Sequence, residues 1–380
     1  MKIAVLGIKG VPGHHGVEVV VDSLLPHLSS LGHEITVYGY DTYTEHMLNY
    51  YGARVKVVSG FSSSSLEMIT HMWNASVDVN KEEFDIIHIH STDPCLLAWK
   101  PRAQHGIIST SHGQAYLRKK WGFIPSTMSK IAERLFIMIP QKKTSVSKPL
   151  AEFYSKKYQR EIKFIPNGIK FRKKPDKTLL EKWGLKSQQF FFCSAGRIER
   201  TKGLHTLFKA YSALSTDRRL VIAGGGSGSD LEYLDEIMRN KPEGILYTGF
   251  ITGDEFYALY AHARIFIFPS EYEAMSMALL EGLSFGTPTV FSNIPENEAV
   301  AKGLGTSFKV SDDVHLANQL RHVLDNYDNA QKIGKKAEKI IKKRHDWKII
   351  ARQYNDLYEE MREENMGRTE MHSACETSKH

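Results

Sequence analysis

The chain predicts an α/β protein built from two doubly wound parallel-sheet domains, and three observations carry that expectation. Strand-like apolar runs alternate with helical patterns almost from end to end, the series restarts midway, and several strands run straight into glycine-containing loops. The 380 residues suffice for two or three domains, and 42% hydrophobic with 24% charged residues allows large cores and excludes wholesale disorder.

The elements follow in order. MKIAVLG (1–7) reads as a buried strand leading into the loop IKGVPGHHG. Val17, Val20, Val21, Leu24, Leu25, Leu28 and Leu31 then recur at spacings of three and four, one face of a helix that Gly32 is suited to end. Pro26 inside it predicts a kink. Strands are expected at 34–40, 55–59, 85–90, 106–111 and 163–166. The second series opens with QFFFCSAG (189–196) and a helix around 203–214, and continues through strands at 219–226, 245–250, 263–270 and 287–293. These give domains at 1–167 and 168–345, a last helix at 346–366 with Asp346 as N-cap, and a tail, 367–380, whose lack of periodicity predicts disorder.

Composition narrows the function classes. No run approaches the roughly 20 apolar residues of a membrane span, and the opening has neither the basic region nor the cleavage site of a secretory signal. Cys95, Cys193 and Cys375 lie too far apart in sequence to read as a disulfide framework or a thiolate metal site. A cytoplasmic protein is the expectation. Residues 100–175 hold 18 Lys and Arg against Glu133, Glu152 and Glu161, a local balance of +15 in a chain of net charge +7. Such a block attracts phosphates or an anionic membrane surface.

Ligands of doubly wound sheets bind beyond the carboxyl ends of the strands, so the motifs there matter most. In PSEYEAMSMALLEGLSFGTP (269–288), Glu273 and Glu281 stand eight residues apart around a helix start near Ser276. First-turn amides there form an anion site, Glu281 can accept from vicinal ribose hydroxyls, and Glu273 lies at the mouth near a sugar. Read alone, the two glutamates are equally compatible with solvated helix positions. In GRIERTKG (196–203), Arg197 and Lys202 leave a strand end and can converge on one diphosphate. Gly10, Gly13 and Gly16 in the first loop permit close backbone approach but lack the dinucleotide-binding spacing. STSHG (109–113) puts His112 just past a strand, where it can act on a sugar or serve packing. His88 and His90 share one face of a strand, with no third metal ligand nearby in sequence, and the chain contains no D-x-D triplet for a metal-bridged diphosphate.

Together these motifs resemble the retaining GT-B glycosyltransferases of family 4, from Met1 to about Met366. The E-x7-E signature falls on Glu273 and Glu281, the phosphate-binding G-R-x4-K-G on GRIERTKG, the interdomain P-N-G on KFIPNGI, and the histidine turn on SHG. The N-terminal loop and helix, with SHGQAYLRKKWG, look closer still to a bacterial rhamnosyltransferase-like subgroup. The resemblance implies a GT-B fold, two Rossmann-like domains facing a central cleft, the first binding acceptor and the second a nucleotide sugar. It implies metal-independent transfer of a hexose or deoxyhexose, with retention, from a UDP-, GDP- or dTDP-sugar, with no cofactor required. By the same pattern Arg197 and Lys202 stabilise the departing diphosphate, Met275, Ser276 and Met277 offer helix N-terminal amides, Glu281 holds the ribose, Glu273 and His112 meet the sugar, and Gly16 lines the donor pocket.

Two positions depart from the family pattern. Ala274 replaces the frequent glycine after the first glutamate, and His15 replaces the first of two glycines, so that only Gly16 carries over. The acceptor implied is a glycan or a lipid-diphosphate-linked glycan of bacterial surface polysaccharide. The basic block, interleaved with Trp121, Phe123, Ile124, Leu135, Phe136, Ile137, Met138 and Ile139, predicts docking on the inner face of the plasma membrane. No nucleic-acid motif accompanies the charge. A nucleotide-sugar epimerase of the same fold and a non-catalytic nucleotide-sugar or nucleic-acid binder are the competing readings; the epimerase would turn over without an acceptor.

Overall fold

A computed structural model describes residues 1–13, 16–61, 67–114, 123–226 and 230–377. The chain divides into two compact units, Met1–Gly168 with Trp347–His380, and Ile169–Asp346. His15, Trp121 and the basic residues 118–120 fall outside the described residues.

The first unit contains, among the described residues, an eight-stranded sheet. Its strands are β1 (Lys2–Leu6), β2 (Glu34–Tyr40), β3 (Met47–Tyr50), β4 (Ala53–Val58), β5 (Ile86–His90), β6 (Ile107–Ser111), β7 (Lys142–Ser145) and β8 (Lys163–Phe164), in spatial order β3-β4-β2-β1-β5-β6-β7-β8. Only β3 is antiparallel to its neighbour. The helices are α1 (Gly16–Ser30), α2 (Glu67–Val79), α3 (Phe123–Met138) and α4 (Lys148–Tyr158). Gly32 ends α1 as expected. At φ +85° it sits in the left-handed region while its amide donates to Ser29 O and that of His33 to Leu28 O, the paired bonds of a glycine-terminated helix. Pro26 is accommodated inside α1.

The second unit contains β9 (Phe190–Arg197), β10 (Arg219–Gly225), β11 (Ile245–Gly249), β12 (Ile265–Phe268), β13 (Thr289–Ser292) and β14 (Thr306–Phe308), all parallel, in the order β11-β10-β9-β12-β13-β14. Helices α5 (Leu204–Ser212), α6 (Asp230–Arg239), α7 (Gly253–His262), α8 (Met277–Ser284), α9 (Pro295–Ala301), α10 (Asp313–Asp325) and α11 (Tyr327–Arg344) cover it. The apolar run of β9 is explained by burial on both faces. Phe191 and Cys193 join the core with Leu204, Leu207 and Leu320, while Phe190 and Phe192 join the opposite core with Tyr260, Leu280 and Leu283.

The last helix, α12 (Trp347–Thr377), belongs to the first unit, where Tyr354 and Tyr358 are fully buried. It corrects the expected disorder after Met366, since the helix continues to Thr377. Once a packed segment has nucleated the helix, each further residue adds a backbone hydrogen bond, and apart from Gly367 the extension contains no strong helix breaker.

The basic block is also corrected in part. Phe136 and Ile137 are core residues, and Leu135 and Ile139 are partly buried, leaving Met138 exposed. Lys142 is paired with Glu364 at 2.6 Å, Lys163 with Glu360 at 3.4 Å and Lys157 with Glu133 at 2.9 Å, so acidic groups offset part of the local charge. No helix of the described residues is long and apolar enough to cross a membrane.

The double burial of β9 makes a direct prediction. Phe192→Ala, emptying a fully buried ring site, should lower the stability of the second unit by about 3–5 kcal/mol in denaturant unfolding. A loss below about 1 kcal/mol would contradict this packing.

Candidate active site

The order of the second sheet fixes where a ligand can sit. The chain runs outward from β9 through β10 to β11, then returns to the other side of β9 as β12 and runs outward again. The connections after β9 and β12 therefore leave in opposite directions and open a crevice beyond their carboxyl ends. Those two connections are the segments 196–203 and 269–276 singled out in the sequence.

They are joined to one another. Gly203, at φ +67°, presses so closely on Pro269 that an added Cβ would lie 2.2 Å from the Pro269 carbonyl oxygen. The Glu271 amide donates to Thr201 O at 2.7 Å, and Lys202 Nζ donates to Glu273 Oε1 at 2.6 Å. Both side chains of that pair are largely buried, with relative exposures of 18% and 13%. Sequence reasoning placed Lys202 on a phosphate and Glu273 on a sugar; in the structure the two are paired with each other. Glu271, which sequence reasoning did not single out, accepts from Ser311 Oγ at 2.9 Å and lies 3.1 Å from His205 Nε2. Arg197 ends β9, is exposed, and meets Glu199 at 3.3 Å.

Ser276 caps α8, accepting from the Leu279 amide at 3.3 Å. The preceding amides, of Met277 and Ala278, are the first-turn donors not spent on this cap, so Ala278 joins the residues expected from sequence. Met275 is buried beneath the turn. Ala274 occupies the turn without a positive φ, which removes the need for glycine there.

Glu281, one turn into α8, is partly buried. Withdrawal from water raises its carboxyl pKa to about 7, against the opposing influence of the Tyr260 hydroxyl, Arg172 and the Tyr257 hydroxyl. Arg172 stacks on the Tyr257 ring at 4.2 Å. The tyrosines escaped sequence reasoning, although their three-residue spacing on α7 puts them on one face. The segment 249–256 runs from the end of β11 into α7 just before Tyr257. Glu296 of α9, also missed, has its pKa raised by burial and by the negative charge of Glu273.

In the first unit, Gly16 begins α1 at φ +52° with open space around it, a backbone conformation that favours glycine. His112 follows β6 and meets His90 across 3.0 Å. The next residues are anchored too: Gln114 Nε2 donates to buried Glu133, which also accepts from Lys157 and Tyr158. Among the described residues no three His, Cys, Asp or Glu side chains are arranged to hold a metal ion.

Comparison with known proteins agrees with this geometry. A family model described as glycosyl transferases group 1 matches residues 176–340, and one described as glycosyltransferase family 4 matches residues 14–173. An uncharacterised glycosyltransferase of Bacillus subtilis is 24% identical over 78% of this chain and 82% of its own length. The UDP-Gal:α-D-GlcNAc-diphosphoundecaprenol α-1,3-galactosyltransferase of Escherichia coli is 28% identical over 65% of this chain and 68% of its own. Other curated relatives are matched over about half their length. Among solved structures, HepE of Anabaena in complex with UDP and glucose has a TM-score of 0.78 at 16% identity, covering 95% of this chain and 100% of that one.

Glu281 gives a pH prediction. Its folded pKa lies above the ordinary 4.5, so the fold favours the protonated form and loses this contribution as pH rises from 4.5 through about 7. Ribose hydroxyls need the ionised acceptor, so affinity for a nucleotide sugar should rise roughly tenfold between pH 6 and 8. Calorimetric titration with UDP-glucose and GDP-mannose checks this. Glu281→Gln should weaken binding and flatten the profile, and an unchanged profile would refute the assignment.

Proposed function

We propose, from a chain whose first half matches the family 4 model and whose second half matches the group 1 model, a retaining enzyme that moves a hexose or deoxyhexose from a nucleotide-diphosphate sugar to a glycan or lipid-linked acceptor. The observation that carries this reading is the convergence, at the strand-order reversal of the second sheet, of Lys202, Glu273 and the start of α8. A cation and free helix amides suit a diphosphate, and a neighbouring carboxylate suits sugar hydroxyls.

Each group then has a part. Lys202 and Arg197 stabilise the negative charge that grows on the leaving diphosphate, aided by the amides of Met277 and Ala278. Incoming phosphate draws Lys202 from Glu273, and the released carboxylate turns to the sugar. Glu281, ionised, accepts from the ribose diol. His112 meets the transferred sugar, the role that the family pattern implies. The acceptor hydroxyl attacks from the face the diphosphate leaves, and a leaving-phosphate oxygen takes its proton, so no protein nucleophile and no metal ion are required.

A lipid-diphosphate acceptor is favoured by the E. coli galactosyltransferase, whose own acceptor is diphosphoundecaprenol-linked, and the context proposed is bacterial surface polysaccharide synthesis. The rhamnosyltransferase-like subgroup is part of the same proposal and makes a deoxyhexose donor the first to try. The first unit bears a surface suited to a bilayer. Thr127, Ile131, Arg134 and Met138 form an exposed stripe along α3 with Met128 and Lys130 beside it. Exposed Trp73 and Trp99 pack edge to face at 6.3 Å, with Lys100 over the Trp73 ring at 3.7 Å. Aromatic rings, apolar side chains and cations together match an anionic headgroup region.

Two measurements test the reading. Lys202→Ala should lower turnover about 100- to 1,000-fold in a screen of UDP-, GDP- and dTDP-sugars without added metal. Near-normal turnover would remove the role given to this residue. Sedimentation with phosphatidylglycerol vesicles should decline as salt rises; absent or salt-independent binding would end the membrane proposal.

A further inference from the structure

Three imidazoles separated in the sequence form one buried column in the first unit. His88 and His90 lie on the same face of β5, and the parallel register pairs His90 with Thr110, with His112 two residues beyond it, just past the end of β6. The His88 and His90 rings stack at 4.0 Å between centroids, and His90 and His112 at 5.3 Å. His88 and His90 are almost wholly buried, and His112 is half-buried.

Hydrogen bonds anchor the inner end of the column. The Thr110 hydroxyl lies 2.7 Å from both His88 Nε2 and Thr144 Oγ1 and 3.4 Å from the Tyr354 hydroxyl, a chain of hydroxyls that can pass either proton arrangement to His88. His88 Nδ1 shares a hydrogen bond with the Tyr358 hydroxyl of α12 at 2.8 Å, so both of its ring nitrogens are engaged. The outer end is a single bond, His90 Nδ1 to His112 Nε2 at 3.0 Å, with one proton between two neutral rings. Burial, helped by mutual repulsion, keeps the rings neutral: His88 and His112 are lowered to about 3 and His90 well below the usual range. Tyr354 and Tyr358 of α12 pack against the His88 ring.

We propose that His90 is a positioning residue, donating its Nδ1 proton to His112 Nε2 so that His112 presents a neutral Nδ1–H donor outward. A neutral donor suits this chemistry, because it can hydrogen-bond an oxygen gaining charge without setting a full positive charge beside an oxocarbenium-like sugar carbon. The role in turnover rests on the assignment of His112 to the transferred sugar; the hydrogen-bond geometry does not.

Long-range proton–nitrogen NMR spectra of histidine-labelled protein test it without substrate. In the wild type, His112 should be neutral between pH 5 and 8 and protonated on Nδ1; a proton on Nε2 would overturn the proposal. His90→Phe keeps a ring in the stack and removes the donor, so His112 should become a tautomer mixture. His90→Asn returns an amide N–H near the Nδ1 position and should restore the single tautomer. Nucleotide release from UDP-glucose and GDP-mannose should fall up to about 100-fold in kcat for His90→Phe, with little change in KM, and recover in His90→Asn. An unchanged His112 spectrum in His90→Phe would overturn the positioning role. An altered spectrum with undiminished kcat would instead overturn the assignment of His112 to the sugar.

Discussion

Two neighbouring parallel strands whose outgoing connections diverge leave a space that no backbone fills, and the second unit depends on that constraint between β9 and β12. The residues around the gap are there to hold its edges at a fixed spacing. Gly203 has no side chain because Pro269 takes the room, and the Glu271 amide on Thr201 O closes the same seam with a backbone bond. Lys202 and Glu273 emerge from the two edges at the point where the seam is tightest, so their proximity follows from the backbone that carries them.

That arrangement gives the two glutamates different electrostatic lives. Glu273 sits against a cation, and each charge compensates the burial of the other; a ligand that takes one must also satisfy its partner. Glu281 sits a turn deeper, where burial raises its pKa to about 7 against the Tyr260 hydroxyl, the stacked Arg172 and the Tyr257 hydroxyl. The first residue can be freed by an anion, while the second is completed by hydroxyl donors.

Much of this was legible in the sequence, and the reasons differ by element. The β9 strand was readable because burial on both faces demands an unbroken apolar run, whereas the basic pair after it, more often solvated when met alone, stood out through the G-R-x4-K-G resemblance. Strand β7 was not, since KKTS carries no apolar signal; its Thr144 and Ser145 are buried through hydrogen bonds instead of hydrophobicity. The E-x7-E spacing showed where two glutamates lie but not that they differ in ionisation, because Tyr257 and Tyr260 arrive from another helix. His88 and His90 could be placed on one face by alternation, whereas the third ring required the register of β5 against β6. The disorder expected at the C-terminus failed for a related reason: periodicity reports packing, and a helix can outrun its packed face.

The way α12 returns to the first unit has a consequence for how the chain matures on the ribosome. Ile169–Asp346 is one uninterrupted stretch and can fold once it has emerged, whereas the earlier residues 1–168 must wait for the chain beyond Trp347. Until Tyr354 and Tyr358 arrive, the sheet face bearing His88 lacks its cover and that ring lacks one of its partners. The part made first is therefore finished last, and a ribosome that stalls before the final helix leaves a complete second unit attached to an unsealed first one, the form that quality-control proteases can most readily distinguish from the mature protein.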